Sequence, residues 1–304
     1  MKKLLIPITI VISVITLVAY IFNKSDKEIT TPSFEVEKNQ KIDNSKLEII
    51  KQEITDTINQ SEGEFGVVIE YLEFEQRVEI NTDKQFYAAS LTKVPLLITL
   101  YRMYDEGKIT PETKVSHLEE DSEWGDGTIK NDPFGTEYTL EQIAWHLAQE
   151  SDNVAKNILY RTLPWEEIQK TFDNIGIPTN TQENKFTTGE MAKVWQYLYK
   201  STNPSLVTEI NPDSDITYLS ANSVHTIFNL LTGTTTEERI PAAVPKNVKV
   251  SHKIGTWSET GSWHDCGIVF SENPVLVCIM SQNTTYEEAV DTIKKVVSTA
   301  TSLQ

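Results

Sequence analysis

Apolar positions along this chain follow two rhythms, and their order predicts strands near both ends with helices between. Leu47, Ile49, Ile50, Ile54 and Ile58 recur at helical spacing and predict a helix over Ser45–Asn59. Gly66–Leu72 reads as a strand, and Arg77–Asn81 as its partner across a short polar turn. Val94, Pro95, Leu96, Leu97, Ile98 and Leu100 are nearly all apolar, which predicts a buried helix. Helical runs then dominate. Thr139 with Gln142 has the form of a capped start, followed by Ile143, Ala144 and Leu147, then by Val154, Ala155, Ile158 and Leu159. Trp165–Ile175 is closed by Gly176, and Thr187–Tyr199 and Ser223–Leu231 complete the helical middle.

Strands return after residue 246. Asn247–Ile254 alternates, with Val248, Val250, His252 and Ile254 on one face and Lys249, Ser251 and Lys253 on the other. Cys266–Phe270 and Val275–Met280 predict a hairpin turned at Ser271–Pro274, and Glu287–Ala300 an amphipathic helix. The expected fold class is α/β in the α+β sense. One antiparallel sheet is built from both chain ends and flanked by helices, with an all-helical lobe inserted. The sheet lobe should span about 44–87 and 240–304, and the helical lobe about 88–239, within one domain from 44 to 304.

The first 43 residues follow another pattern. Met1-Lys2-Lys3 precedes an uncharged apolar run from Leu4 to Phe22, long enough to cross a bilayer as a helix. No small-x-small cleavage site follows, so residues 1–22 read as an uncleaved signal anchor, with a cleaved signal as the alternative. Lys2 and Lys3 would stay cytoplasmic, placing the body outside the cytoplasm. Residues 23–43 are polar and aperiodic, a tether.

Charge narrows the partners. A net charge of −17 with no basic patch argues against nucleic acid. The expected partners are a small-molecule or peptide substrate and, through the N-terminal segment, the membrane; the body is expected to be monomeric. The two cysteines, Cys266 and Cys278, flank the hairpin turn and fit either a disulfide or two small buried residues. No C-x-x-C, H-x-H or H-E-x-x-H occurs, so no metal or other cofactor is expected.

Candidate chemistry centres on Ser90-Leu91-Thr92-Lys93, the only S-x-x-K in the chain. Spacing of three puts both side chains on one helix face. A lysine heading a buried helix is costly unless it is used, and a desolvated lysine beside other cations loses its proton more easily. The motif therefore suits a serine nucleophile with a lysine base. Alone it suits a capping serine and a surface lysine better. Two later motifs decide between these. Ser151-Asp152-Asn153 lies between two predicted helices, and Lys253-Ile254-Gly255-Thr256 lies on a predicted strand.

In that order, the three motifs resemble the penicillin-recognising serine hydrolases, most closely class A β-lactamases, from about residue 45 to the end. Tyr138–Glu141, Thr187–Ala192 and His264–Val269 add to the likeness. The resemblance implies a β-lactamase/transpeptidase-like fold and an acyl-serine mechanism. It assigns catalysis to Ser90 as nucleophile, Lys93 as base and Ser151 as proton donor to the leaving nitrogen. Substrate binding falls to Asn153, Lys253, Gly255 and Thr256, with the N–H groups of Ser90 and Thr256 as oxyanion hole. Trp124 suits a cleft wall as well as simple packing.

Two departures shape the functional expectation. Ile254 stands where the family has a hydroxyl for the substrate carboxylate, though Thr256 points to the same strand face. The loop Pro178–Phe186 is short and lacks the family's glutamate that activates the deacylating water; Glu183 is its only carboxylate and the candidate base. Hydrolysis of β-lactams with slow release of the acyl group is therefore expected. The alternatives are a D-alanyl-D-alanine-type peptidase or transpeptidase acting on peptidoglycan stem peptides, and a non-catalytic module binding wall fragments or penicillin. Among the histidines, His252 reads as structural, and His117, His146 and His225 show no partners. Adjacent His264 and Asp265 point to opposite faces of their strand and Lys93 already supplies a base, so the pair does not read as part of a triad with Ser90.

Overall fold

Five strands form the main sheet, and they come from both ends of the chain, as the patterning predicts. The computed structural model describes residues 41–179, 183–202 and 217–302. The expected anchor at 1–22 and all but the last residues of the tether at 23–43 lie outside the described residues. Strand β1 (Glu64–Tyr71) pairs with β2 (Gln76–Ile80) on one side and, on the other, with β9 (Val275–Gln282). Strand β8 (Ser262–Phe270) pairs with β9, and β7 (Lys249–Trp257) closes the edge. The order is β2-β1-β9-β8-β7, antiparallel throughout.

Alternation decides what each face buries. In β1, Val67, Ile69 and Tyr71 join the core beneath helices α1 (Asn44–Gln60) and α8 (Tyr286–Ala300), which meets Ile50, Ile54, Ile293 and Val297. Val68, between them, joins the core of the helical lobe. Helix α2 (Lys93–Asp105) runs through that second core, and every residue from Lys93 to Met103 is buried. Each buried Leu or Ile there contributes about 1.5–3 kcal/mol. Around α2 stand α3 (Leu140–Gln149), α4 (Asn153–Thr162), α5 (Trp165–Ile175), α6 (Thr188–Ser201) and α7 (Ala221–Leu230). Thr139 and Gln142 form the expected capping box at α3, and Thr187 and Glu190 form another at α6.

Several features were not visible in the pattern. Three-residue strands are too short for a period-two signal. Two such pairs occur among the described residues: β3 (Gln85–Tyr87) with β6 (Lys185–Thr187), and β4 (Lys114–Ser116) with β5 (Glu137–Thr139). Strand β7 extends to Trp257, three residues past the expected end, and is buried on both faces through most of its length. Cys266 and Cys278 face each other across β8 and β9 and form a disulfide, which resolves the two readings left open by the sequence.

Candidate active site

The site forms where α2, the turn before α4 and strand β7 converge. Ser90 lies in a 3-10 turn, Ala89–Thr92, that runs directly into α2 at Lys93. Residues three apart eclipse in a 3-10 turn, so Ser90 and Lys93 stand in line. Ala89 carries φ +50°, a left-handed conformation unusual for a non-glycine residue, and it sets the chain direction into Ser90.

The structure brings Ser90, Lys93, Ser151, Asn153 and Lys253 into one hydrogen-bonded cluster. Lys93 Nζ lies 3.1 Å from Ser90 Oγ, 3.2 Å from Ser151 Oγ and 2.7 Å from Asn153 Oδ1, and it also donates to the Ser151 carbonyl. Lys253 Nζ donates to Ser151 Oγ at 2.9 Å. The Ser151 hydroxyl thus bridges two amines. Ser151 also has a left-handed φ, +54°. Asp152 holds this turn: its carboxylate accepts from Ala155 N at the start of α4 and from Ile129 N.

Burial sets the charge state of this cluster. Lys93 is 3 % exposed. Desolvation, with the Lys253 charge second, holds its pKa well below the ordinary lysine value. Burial also brings Lys253 down, to about 8, against the opposing pull of Asp126 and Asp265. A lysine that readily gives up its charge beside a serine hydroxyl can take that hydroxyl's proton.

The remaining expected residues take more specific places. Asn153 is engaged at both ends of its amide, accepting from Lys93 and donating to the Trp124 carbonyl at 2.9 Å. Trp124 itself is 93 % exposed, so its ring is not packing the interior. Gly255 has a packing duty beyond the expected approach of substrate. A Cβ there would come within 2.6 Å of the Ala88 carbonyl and 3.2 Å of Leu91, so only glycine lets β7 press against the turn carrying Ser90. Ile254 and Thr256 line one cleft with Ser151, as two-residue alternation requires. Glu183 is an exposed turn residue whose ion-pair partner is Lys185 at 3.9 Å, and among the described residues it makes no hydrogen bond to Ser90 or Lys93.

Two residues missed by the sequence reading join the site. Arg239, buried and in an irregular stretch, donates from Nη2 to Thr256 Oγ1 at 3.0 Å and from Nη1 to the His264 carbonyl. It sets a guanidinium beside the cleft wall where Ile254 supplies no hydroxyl. Asn184 accepts from Ala88 N at 2.8 Å through its carbonyl and donates from Nδ2 to the Ala89 carbonyl at 3.2 Å, clamping the chain that leads into Ser90. Asn184 takes a left-handed φ of +50°, which asparagine adopts more readily than most residues, but nothing in the local sequence marks its contact with the turn.

The histidines are also placed. His264 donates from Nε2 to the Tyr87 carbonyl and accepts from Ser281 N at Nδ1, while Asp265 bonds His252 and Ile240 N. Neither reaches Ser90, in keeping with their opposite faces. His146, expected without partners, contacts Glu150 at 2.9 Å, an i,i+4 pair whose spacing was legible.

The Beta-lactamase enzyme family model matches residues 49–303. The chain belongs to this family. Among curated proteins, it is 25 % identical to β-lactamase VEB-1 of Pseudomonas aeruginosa over 276 residues, covering 84 % of this chain and 89 % of that one. Among solved structures, PBP-A superposes with a TM-score of 0.73 at 19 % identity, covering 84 % of this chain and 96 % of that one. A β-lactamase from Sphaerobacter thermophilus gives 0.70 at 21 % identity, covering 85 % and 96 %. A mutant of PBP-A, solved as an acyl-enzyme complex with penicillin G, gives 0.72 at 19 % identity, with the same coverage as PBP-A. The chain is thus a serine hydrolase of the β-lactamase family, with the fold that its sequence motifs implied.

Arg239→Ala is expected to raise KM for a carboxylate-bearing β-lactam by about tenfold or more, with a smaller effect on kcat, the change that losing one charge-assisted contact of about 1.5–3 kcal/mol would produce. Steady-state kinetics on Arg239→Ala and Arg239→Lys read this split. Equal KM values in parent and variant would exclude the guanidinium from substrate binding.

Proposed function

We propose that this chain is a membrane-anchored, monomeric, extracytoplasmic hydrolase that acylates Ser90 with β-lactams and releases the product slowly. The single observation that carries the reading is the Ser151 hydroxyl held between Lys93 and Lys253, with Lys93 also 3.1 Å from Ser90 Oγ.

In this reading neutral Lys93 takes the Ser90 proton as Oγ bonds the lactam carbonyl carbon. The oxygen takes up negative charge between the N–H groups of Ser90 and Thr256, where loss of one donor costs about 10²–10³ in rate. Ser151 gives its proton to the ring nitrogen as the C–N bond breaks, and a lysine ammonium restores it. Lys253 and Arg239 attract the substrate carboxylate, with Thr256 held by Arg239. Asn153 leaves Lys93 to hydrogen-bond the substrate's side-chain amide. Release then needs an activated water. Glu183 is the candidate base; without a well-placed one, release falls by about 10²–10⁴-fold. The same property suits a D-alanyl-D-alanine-type peptidase, the second reading. It is favoured by one observation: among the described residues no carboxylate is hydrogen-bonded to Ser90 or Lys93.

The test uses the full chain with non-ionic detergent, a chromogenic cephalosporin and a penicillin, followed by intact mass over time with Ser90→Ala as control. A lasting Ser90 adduct with little colour change is the expected result and leads next to peptide substrates. Fast turnover without an adduct would remove slow release from the reading. Glu183→Gln then tells whether that loop carboxylate supplies the base: a longer-lived adduct would place it there.

A further inference from the structure

The acyl-serine chemistry leaves unexplained the charges on the cleft wall around Ser151 and Thr256. Beyond Ser151 and Thr256 lies a cleft of about 460 Å³, lined also by Asp126, Glu150, Glu238 and Arg239. Three carboxylates thus face one guanidinium. Asp126 is exposed, and its carboxylate makes no hydrogen bond or ion pair among the described residues. Its field nevertheless reaches the active lysines, since its charge favours the protonated forms of both Lys93 and Lys253. Glu150 is tied to Thr128 and the His146 ring. Glu238 lies 3.7 Å from Arg239 Nε, and Tyr286 lines the cleft beside it.

We infer that this wall selects substrates carrying a cationic group on the leaving-group side, next to the substrate carboxylate. The inference rests on the acyl-serine reading, in which Lys253 and Arg239 hold that carboxylate beside Ser151. Once it is bound, the anion offsets one of the two cations, Lys253 and Arg239, and the three carboxylates outweigh the other. A positive substituent projecting past Thr256 enters their combined negative field, a neutral one gains nothing, and an anionic one is repelled. The same wall meets the side chain of the departing residue in a peptide substrate, so the preference does not depend on which scissile amide is cleaved. The chain's overall charge of −17 adds a weaker, long-range pull of the same sign.

The test takes three cephalosporins with one acyl side chain and a C3 substituent that is not expelled on ring opening: a quaternary ammonium, a neutral ether and a carboxylate. Formation of the Ser90 adduct on the full chain is followed by quenched intact mass. Each rate is divided by that compound's own alkaline hydrolysis rate, to remove intrinsic reactivity. The cationic member is expected to exceed the neutral one by about three- to tenfold at low salt, and the neutral to exceed the anionic similarly. The ratios should shrink toward unity at about 0.5 M salt, where the Debye length is only a few ångströms. Asp126→Asn combined with Glu238→Gln should cut the cation-to-neutral ratio by at least half, even where it alters all three rates together through Lys93 and Lys253. Equal normalised rates across the series, or ratios untouched by the double variant, would overturn the inference and leave acylation standing. Absence of a Ser90 adduct with every member would overturn the acyl-serine reading and this inference with it.

Discussion

Lys93→Ala is expected to slow acylation of Ser90 by about 10²–10⁴-fold while leaving the fold intact. The lysine is buried and touches Ser90, Ser151 and Asn153, and no other described base is within hydrogen-bond reach of Ser90 Oγ. Its native pKa is depressed by burial and by Lys253. The unfolded chain therefore binds more protons than the native one between that value and about 10.4, and Lys93 weakens the fold below it. Removing the amine should leave the unfolding free energy at pH 7 unchanged or higher, so a drop in rate cannot be put down to unfolding. The pH profile separates roles further. Acylation should rise with pH as Lys93 becomes neutral, then fall as Lys253 loses its charge near its value of about 8. Lys93→Ala should lose the rising limb and keep the falling one. Rapid-quench mass spectrometry across pH reads both limbs, and a Lys93→Ala rate within threefold of the parent would assign the proton to another group.

How much of this was legible in the sequence depends on how local each signal is. Ser90 and Lys93 are one turn apart, Ser151 to Asn153 are contiguous, and Lys253 sits on a strand with a clean period of two. Those positions follow from short spacings and element type, and the helix caps at Thr139 and Thr187 do too. Arg239 was not legible, because it sits in an irregular stretch, and only packing against β7 and β8 gives it the His264 carbonyl and Thr256 as partners. Asn184 acts through backbone contacts to Ala88 and Ala89, about 95 positions away in sequence, which no local pattern encodes. The place of His252 on the apolar face of its strand points to a structural role. It is buried, but what it meets there is an acid. In the β7–β8 register His252 pairs with Gly267 and Ile254 with Asp265, so His252 and Asp265 are diagonal neighbours on one face. That relation appears only once the register is known.

The same pair gives the second large effect, this one on stability. His252→Phe is expected to cost about 3–5 kcal/mol, because it leaves Asp265 buried without its cation. Both side chains are fully buried, and His252 Nδ1 lies 2.9 Å from Asp265 Oδ1, with Glu237 at 3.4 Å from Nε2. Burial alone would push the imidazole down; the charge and hydrogen bonds of Asp265, with Glu237, outweigh it and raise its pKa to about 9. A raised native pKa means that the native state holds the proton more tightly. The stabilisation, about 3 kcal/mol, is therefore complete below the unfolded value of about 6.5 and is lost as pH rises through 9. Lys93 and Lys253 act in the opposite sense over part of that range, since their native values are lowered. The raw pH slope of the parent thus mixes opposing contributions, and the parent-minus-variant difference isolates His252. Urea unfolding of the parent and His252→Phe at pH 6 and pH 10 should give a difference of several kcal/mol at the lower pH, narrowing toward the higher. A difference that stays constant between the two would mean that His252 is held by packing rather than by charge. Asp265 also anchors Ile240 N, next to Arg239, so the variant should raise KM for a carboxylate-bearing substrate as the guanidinium loses its support. A destabilised variant with an unchanged KM would confine the pair to the fold.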